Sequence, residues 1–207
     1  MIRVPLGDLK TAFSNPARYV ASFKPGSRGG GATRYGTFLH SIGVFHNNNG
    51  DLPKAQSYLD SEFTSKNFTQ LTDYLDRLDR YAQRWGQLGN TVVRYRDNIS
   101  VPIPKSYANF RISGQAARVD LVGSGGYGIW MFVRDETDWS DDPKMPLLQF
   151  SYARRLDVAM DDLRVGVYDI EAGTYSTRAY SVNEVKAARD GVNNLLAALS
   201  SRFKDKG

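Results

Sequence analysis

The sequence has no cysteine among its 207 residues. This absence excludes disulfide frameworks, thiol nucleophiles, zinc–thiolate sites and iron–sulfur clusters. There are only two histidines, and no Gly-x-Ser-x-Gly elbow, Walker loop or dinucleotide-binding glycine fingerprint occurs, so neither a serine triad nor a common nucleotide-binding motif is indicated. No apolar run approaches the roughly 18 residues of a membrane span, and Met1–Pro5 does not resemble a signal peptide. We therefore expect a cytoplasmic protein that does not engage a membrane.

The composition is that of one folded domain covering residues 1–207. Hydrophobic residues make up 41% of the chain, which is enough for a sizeable core at this length. A net charge of +5 and a pI of about 9.4 favour polyanionic partners, because phosphates attract Lys and Arg. On charge alone, a slightly basic protein without such a partner fits equally well.

Apolar periodicity predicts three helices in residues 1–90. The first runs from Leu6 to Val20 and is bent or split at Pro16, because proline interrupts a helix. The second covers Thr33 to Phe45, and the third runs from Phe68 to Leu88 with Asn67 as its N-cap. The residues predicted to face the core are Phe38, Ile42, Phe45, Leu71, Leu75, Leu78, Ala82 and Trp85.

From Thr91 onward the pattern changes to that of strands. The strand-like segments are Val92–Tyr95, Phe110–Ile112, Ala117–Val122 and Gly128–Val133. The acidic stretch Asp138–Asp142 then predicts a loop. A helix with Pro146 in its first turn follows and runs to about Met160.

A hairpin and a last helix complete the pattern. Leu163–Asp169 and Thr174–Tyr180 predict the hairpin strands, and Ser181 with Glu184 forms a capping box for the helix. That helix is expected to bury Val185, Ala188, Val192, Leu195, Leu196 and Leu199. The element order predicts an α/β fold, a single domain with a central mixed β-sheet flanked by helices. Its parts are an N-terminal helical region 1–90, a sheet core 91–182 and a C-terminal helix 182–206.

Charged residues stand at the adjoining ends of two predicted strands. Asp120 lies near the end of one predicted strand, within the run Arg118–Val122, and Arg134-Asp135-Glu136-Thr137 follows the next strand. Carboxylates at such neighbouring ends are a common way to hold a divalent metal that cleaves phosphodiesters. Because the second cluster contains no lysine, the sequence leaves open whether the protein cuts nucleic acid or only binds it.

Four local motifs, in this order, resemble the PD-(D/E)XK nuclease superfamily and its RecB/Cas4-like branch. They are Ser14–Tyr19, Gly36–His40, Arg118–Asp120 and Gln149–Tyr152. The resemblance implies a restriction-endonuclease-like core, with Mg²⁺ or Mn²⁺ held by His40, Asp120 and Asp135. It also implies catalytic roles for the carboxylates Asp120, Asp135 and Glu136, with Gln149 and Tyr152 placing the phosphate. The residues alone allow plainer roles, since His40 and the Gln149–Tyr152 pair equally fit side chains packed at the core.

The chain departs from this family in two ways. The absence of cysteine favours a simple RecB-like domain without the iron–sulfur cluster of Cas4 proteins. The third family motif is an acid, one residue, then a lysine, and two registers are possible here. In one, Arg134 replaces the acid, Glu136 replaces the lysine, and Arg134 is free to pair with Asp120. In the other, Asp135 is the acid and Thr137 stands where lysine belongs.

Basic residues outside these motifs suggest contacts with a nucleic-acid backbone. Lys24, Arg28 and Arg34 flank or lie in a glycine-rich segment, and Arg155 follows the Gln149–Tyr152 motif. A flexible linker is the simpler interpretation of that segment. We expect sequence-independent DNA binding, by either an active metal-dependent deoxyribonuclease or a catalytically degenerate DNA-binding subunit. The alternative is a protein–protein interaction or assembly module, which an exposed aromatic patch of Tyr127, Trp130 and Trp139 would favour.

Overall fold

Six strands form one mixed sheet in the computed structural model, which describes residues 1–26, 35–63, 68–123, 125–134 and 138–204. The strands are β1 Ile2–Pro5, β2 Thr91–Val101, β3 Phe110–Leu121, β4 Tyr127–Val133, β5 Leu163–Asp169 and β6 Thr174–Arg178. Helices pack on both faces of the sheet. This confirms an α/β fold built on a central mixed sheet, while the restriction-endonuclease-like assignment stays a prediction.

β3 is the central strand and pairs with three others. β2 lies antiparallel along one edge of β3, with Val101 opposite Ile112. β1 runs parallel to the start of β3 on the other edge, where Val4 also faces Ile112. β4 runs antiparallel beside the end of β3 on that same edge, where Tyr127 faces Leu121. β5 continues in parallel beside β4, and β6 completes the sheet antiparallel to β5.

The helices in the described ranges form two layers. They are α1 Leu9–Ser14, α2 Pro16–Ser22, α3 Gly36–Asn47, α4 Leu52–Glu62, α5 Phe68–Leu88, α6 Lys144–Leu156 and α7 Val182–Lys204. Val165 and Val167 of β5 pack in a core with α1, α2, α6 and α7. Their neighbour Tyr168 packs on the other side with α3–α5. Because side chains alternate along a strand, both faces of the sheet are buried here.

Local sequence signals explain several boundaries. Asn15 separates α1 from α2, and its side chain accepts a hydrogen bond from the Arg18 backbone N–H, so the predicted break at Pro16 is confirmed. The predicted capping box is also present: Ser181 N–H donates to Glu184, and Glu184 N–H donates to Ser181 Oγ. All six residues predicted for the buried side of α7 are buried.

Other boundaries differ from the prediction. β2 and β3 are each longer than expected, and β3 joins two segments that were predicted separately. The helix after Pro146 ends at Leu156, because Asp157 takes a left-handed conformation with φ of 55°. The structure also contains β1 and α4, which were not predicted. No helix in the described part of the chain is long and apolar enough to cross a membrane.

Candidate functional site

Arg118 and Asp120 of β3 form a buried ion pair. They stand two residues apart and therefore point to the same face of the sheet, beneath α3 and α5. Arg118 Nε donates to Asp120 Oδ1 at 2.8 Å and to Oδ2 at 3.0 Å. Both side chains have 0% exposure. Asn90 Nδ2 adds a longer contact to Asp120 Oδ2 at 3.4 Å.

Aromatic rings surround the Arg118 guanidinium. Its Cζ lies 4.2 Å from the ring centroid of Trp85, a cation–π distance. Three further ring centroids lie at 5.4–5.7 Å, those of Tyr81, Trp130 and Tyr175. Phenol oxygens of Tyr81 and Tyr175 accept hydrogen bonds from Arg118 Nη1. Among the described residues, Arg118 Nη2 and Trp130 Nε1 are buried without a hydrogen-bond partner.

The hydrogen-bonded chain extends from Arg118 through Tyr81 to His46. Tyr81 accepts from Arg118, and its hydroxyl is hydrogen-bonded to His46 Nε2 at 2.6 Å. Burial, together with the Arg118 charge, lowers the pKa of His46 to about 3. Protonation of His46 would place a second positive charge in a buried site close to the Arg118 cation. We call Asp120, Arg118, Tyr81, His46 and Tyr175 the buried charge network.

The Asp120 carboxylate is already fully engaged. Burial raises the pKa of Asp120 above its usual value, although Arg118 chiefly, together with Asn90 and the nearby Trp130 N–H, offsets part of that rise. The ionised form therefore depends on Arg118. A divalent metal would need an open carboxylate, yet both Asp120 oxygens face a guanidinium. The described residues around Asp120 thus do not fit Mg²⁺ or Mn²⁺.

The predicted pairing of Arg134 with Asp120 is wrong. Arg134 is exposed and its Cζ lies 5.7 Å from the Tyr35 ring centroid. Asp120 pairs instead with Arg118, two residues before it on the same strand. Asp135 and Glu136, predicted as catalytic residues, lie outside the described residues, as does Thr137.

The other predicted metal ligand and phosphate-placing residues lie apart from Asp120. His40 is exposed on α3 and stacks on Tyr58 of α4, with centroids 4.9 Å apart. Gln149 and Tyr152 lie on α6, in the helix layer beneath the opposite face of the sheet. The described residues contain no group of three His, Asp or Glu side chains placed to hold a metal.

Gln149 and Tyr152 have structural partners of their own. The Gln149 amide accepts from Tyr180 N at 2.7 Å and donates to Tyr180 O at 3.0 Å. Tyr152 OH donates to Asp97 Oδ2 at 2.8 Å. These contacts tie α6 to the segment after β6 and to β2, so the two residues do not line a site with Asp120.

The predicted backbone-binding residues are dispersed. Lys24 is exposed just after α2. Arg155 of α6 contacts Asp97 Oδ2 at 2.9 Å and Asn98 O at 2.7 Å, which joins α6 to β2. Arg28 and Arg34 lie outside the described residues. The structure therefore does not gather these four residues on one surface that it describes.

A basic, largely exposed surface lies elsewhere, where β1, β2 and β3 run side by side. This polar sheet face consists of Arg3, Arg96, Asn98, Ser100, Arg111, Ser113 and Gln115. All of these side chains except that of Ser113 are exposed. Each arginine donates from Nε to a side chain of an adjacent strand: Arg3 to Ser113 at 2.9 Å, Arg111 to Ser100 at 2.8 Å, Arg96 to Gln115 at 3.5 Å.

Sequence reasoning missed this face although a signal was present. In β3, buried Phe110 and Ile112 alternate with polar Arg111, Ser113 and Gln115, which is the pattern of a strand with one buried and one exposed side. The arginines of this face lie together only because β1 and β2 flank β3. The sequence of a single strand does not show which strands will pair with it, so the cluster could not be predicted.

The aromatic patch that would favour a protein-binding module is not formed. Trp130 is 4% exposed and belongs to the surroundings of Arg118. Tyr127 and Trp139 are partly buried against the core beneath α6 and α7. Comparison of the chain with protein-family models and with curated proteins gives no match. The two features of the described residues that bear on function are the closed buried charge network and the open polar sheet face.

Proposed function

We propose that the protein binds nucleic acid through the polar sheet face and does not cleave it. The observation that carries the proposal is the alignment of Arg3, Arg96 and Arg111 on one exposed surface of the sheet. Hydroxyl and amide side chains lie between these cations. Such a mixture suits phosphate oxygens, which receive most protein–DNA hydrogen bonds without any reading of sequence.

The hydrogen bonds within the face support a binding role. Each arginine donates from Nε, so these contacts hold its guanidinium on the sheet without using the terminal nitrogens. Ordering the side chains before binding reduces the conformational entropy lost on contact. A planar guanidinium also matches the geometry of a phosphate better than an ammonium does.

The absence of cleavage is proposed from the state of Asp120. An active nuclease of the PD-(D/E)XK type would need this carboxylate to bind its metal. Here both carboxylate oxygens accept hydrogen bonds from Arg118, which is surrounded by aromatic rings. The buried charge network therefore acts as a structural centre in this proposal. The degenerate, DNA-binding interpretation of the sequence is favoured over the active one.

Fluorescence anisotropy with labelled DNA and RNA, at salt concentrations between about 50 and 200 mM, tests the proposal. We expect binding that weakens steeply with salt. Changing Arg3, Arg96 and Arg111 together to Ala should lower affinity and reduce the magnitude of the logarithmic salt slope by about 2 to 3. A matched variant removes three exposed cations from the opposite helix layer: Lys10, Arg18 and Lys186. It should retain more affinity than the first variant.

Two results would contradict the proposal. One is the absence of binding to either DNA or RNA at the lowest salt. The other is degradation of the oligonucleotide in the presence of Mg²⁺ or Mn²⁺ that Asp120→Asn abolishes. A third variant, with Lys24, Arg28 and Arg34 changed to Ala, tests the segment that the sequence predicted. If it alone lost binding, the polar sheet face would not be the site.

A further inference from the structure

A cleft of about 210 Å³ lies at the end of the polar sheet face, where α3 passes over the sheet. Arg96 and Gln115 belong both to the polar sheet face and to the lining of this cleft. The half-buried side chains of the lining are largely apolar, among them Leu39, Met131 and Phe132. The cleft therefore joins a cationic surface to an apolar interior.

The backbone at the rim of the cleft has an unusual conformation. Arg96 has φ of 51°, in the left-handed region that few non-glycine residues adopt. This conformation interrupts the alternation of β2: Tyr95 packs towards α3, donating to Leu39 O at 2.6 Å, whereas Asp97 contacts α6. As a result, Arg96 projects beside the cleft instead of alternating into a core. Such local strain is concentrated at functional positions.

We propose that this cleft receives one unstacked base of a single-stranded nucleic acid whose phosphates lie on the polar sheet face. The inference rests on the proposed function and deepens it. A cleft of this volume is smaller than the pockets that hold whole drug-sized ligands, and it suits a single planar ring system. The Gln115 amide accepts from Arg96 Nε at 3.5 Å and donates to Asn98 Oδ1 at 3.2 Å, which leaves a second N–H and a second lone pair for a base edge. Arg96 provides a cation for the adjoining phosphate.

The same geometry selects against duplexes. In a duplex each base is paired and stacked, so entry into the cleft requires a base to be turned out at a cost of a few kcal/mol. In a single strand the bases are accessible, and contact with apolar or aromatic side chains adds affinity independently of sequence. The polar sheet face alone would bind both forms, whereas the cleft adds a preference for the single strand.

Filling the cleft tests the inference without removing any packing. Ala117 is half-buried in its lining, and Ala117→Leu adds volume there. The matched control is Ala187→Leu, at an exposed position of α7 in the opposite layer. The probes are a single-stranded oligonucleotide of about 12 nucleotides, the duplex of the same sequence, and an abasic strand of equal length.

We expect the parent protein to bind the single strand about tenfold more tightly than the abasic strand. Ala117→Leu should remove that preference and leave affinity for the abasic strand and the duplex unchanged, while Ala187→Leu changes none of the three. If Ala117→Leu lowers the melting temperature, Gly36→Leu, at an exposed position of the same lining, replaces it.

The outcomes separate the inference from the function on which it rests. A parent that binds the three probes equally would overturn the inference and leave nucleic-acid binding intact. The inference would also be overturned if a folded cleft-filling variant kept the single-strand preference, or if it bound all three probes more weakly by the same factor. A parent that binds no probe at low salt would overturn the proposed function itself.

Discussion

At the scale of single residues, burial of the Arg118 charge is tolerated only because Asp120 is buried beside it, and the reverse is equally true. Both charges have 0% exposure, and each loses its hydration on folding, at a cost of several kcal/mol per ion. Two hydrogen bonds and the aromatic rings around Arg118 offset that cost. Removal of one partner leaves the other charge buried and uncompensated.

Arg118→Met should therefore lower the free energy of unfolding by about 3 to 5 kcal/mol, because Asp120 then lacks its counter-ion. The double variant Arg118→Met with Asp120→Leu removes both charges and should be more stable than the single one. Urea-induced unfolding measures both values. The single variant Asp120→Leu completes the cycle, and a double variant that loses as much as the two single variants together would show that the pair is not coupled.

His46 should make stability depend on pH. Its pKa is about 3 in the folded protein and about 6.5 when unperturbed, so between these values the unfolded chain binds a proton that the folded protein does not. Stability must then fall as pH falls, by at most about 1.4 kcal/mol per pH unit. The parent's stability advantage over His46→Gln should shrink by up to about 2 kcal/mol from pH 7 to pH 5. An equal advantage at both pH values would contradict this.

The sequence identified Asp120 as unusual but did not indicate Arg118 as its partner. The distance from Arg118 to Asp120 along a strand is two residues, so alternation alone places them on one face. What alternation does not give is whether that face is open or covered. Because α5 covers this face, the Asp120 carboxylate is buried and needs a counter-ion. Arg118, on the same strand, provides it.

At the scale of elements, the indole of Trp130 is accommodated by glycines on β4 and β5. A Cβ at Gly128 would lie 2.8 Å from Trp130 Nε1. A Cβ at Gly166 would lie 2.7 Å from Trp130 Cζ3 and 2.5 Å from Ser176 O of β6. The strand-to-strand spacing fixes the backbone oxygen, so β5 requires glycine at this point.

Gly166→Ala should accordingly destabilise the fold by about 1 to 3 kcal/mol, the usual cost of overpacking. Gly86→Ala in α5 is the matched control, because a Cβ at Gly86 meets nothing within 4 Å. It should raise stability by up to about 1 kcal/mol through helix propensity. Thermal unfolding of both variants checks the opposite signs, and equal shifts would contradict the packing argument.

Long, strongly periodic elements were predictable and short ones were not. α5 and α7 carry several turns of apolar periodicity, and their predicted positions were confirmed. α4 buries only Ala55 and Leu59, so its periodicity is weak, although Asp51 caps it as a start signal would require. β1 has four residues and is held by parallel pairing with β3. No local sequence pattern indicates such a long-range pairing.

At the scale of the whole molecule, the predicted site residues are divided between the layers. Asp120 faces α5, Gln149 and Tyr152 belong to the layer beneath the other face, and His40 is exposed on α3. Sequence periodicity indicates that a residue faces a core, but this sheet has two cores. The order of motifs along the chain therefore did not determine which of them meet.

Metal binding provides a test at this scale. Because the described residues around Asp120 do not fit a divalent ion, millimolar Mn²⁺ should leave the melting temperature unchanged, since only a ligand of the folded state raises it. Asp120→Asn should show the same insensitivity to Mn²⁺. A rise in the parent that this variant abolishes would restore the active nuclease interpretation, with Asp120 as a ligand.

The pairing of β1 with β3 has a consequence for the order of folding. Arg3 and Ser113, which hydrogen-bond on the polar sheet face, are 110 residues apart along the chain. Contacts this distant form slowly, because a long loop must close before they stabilise anything. During synthesis, β1 must wait for β3 to be made. We therefore expect affinity for nucleic acid to appear late in refolding, after the helical layers have acquired their secondary structure.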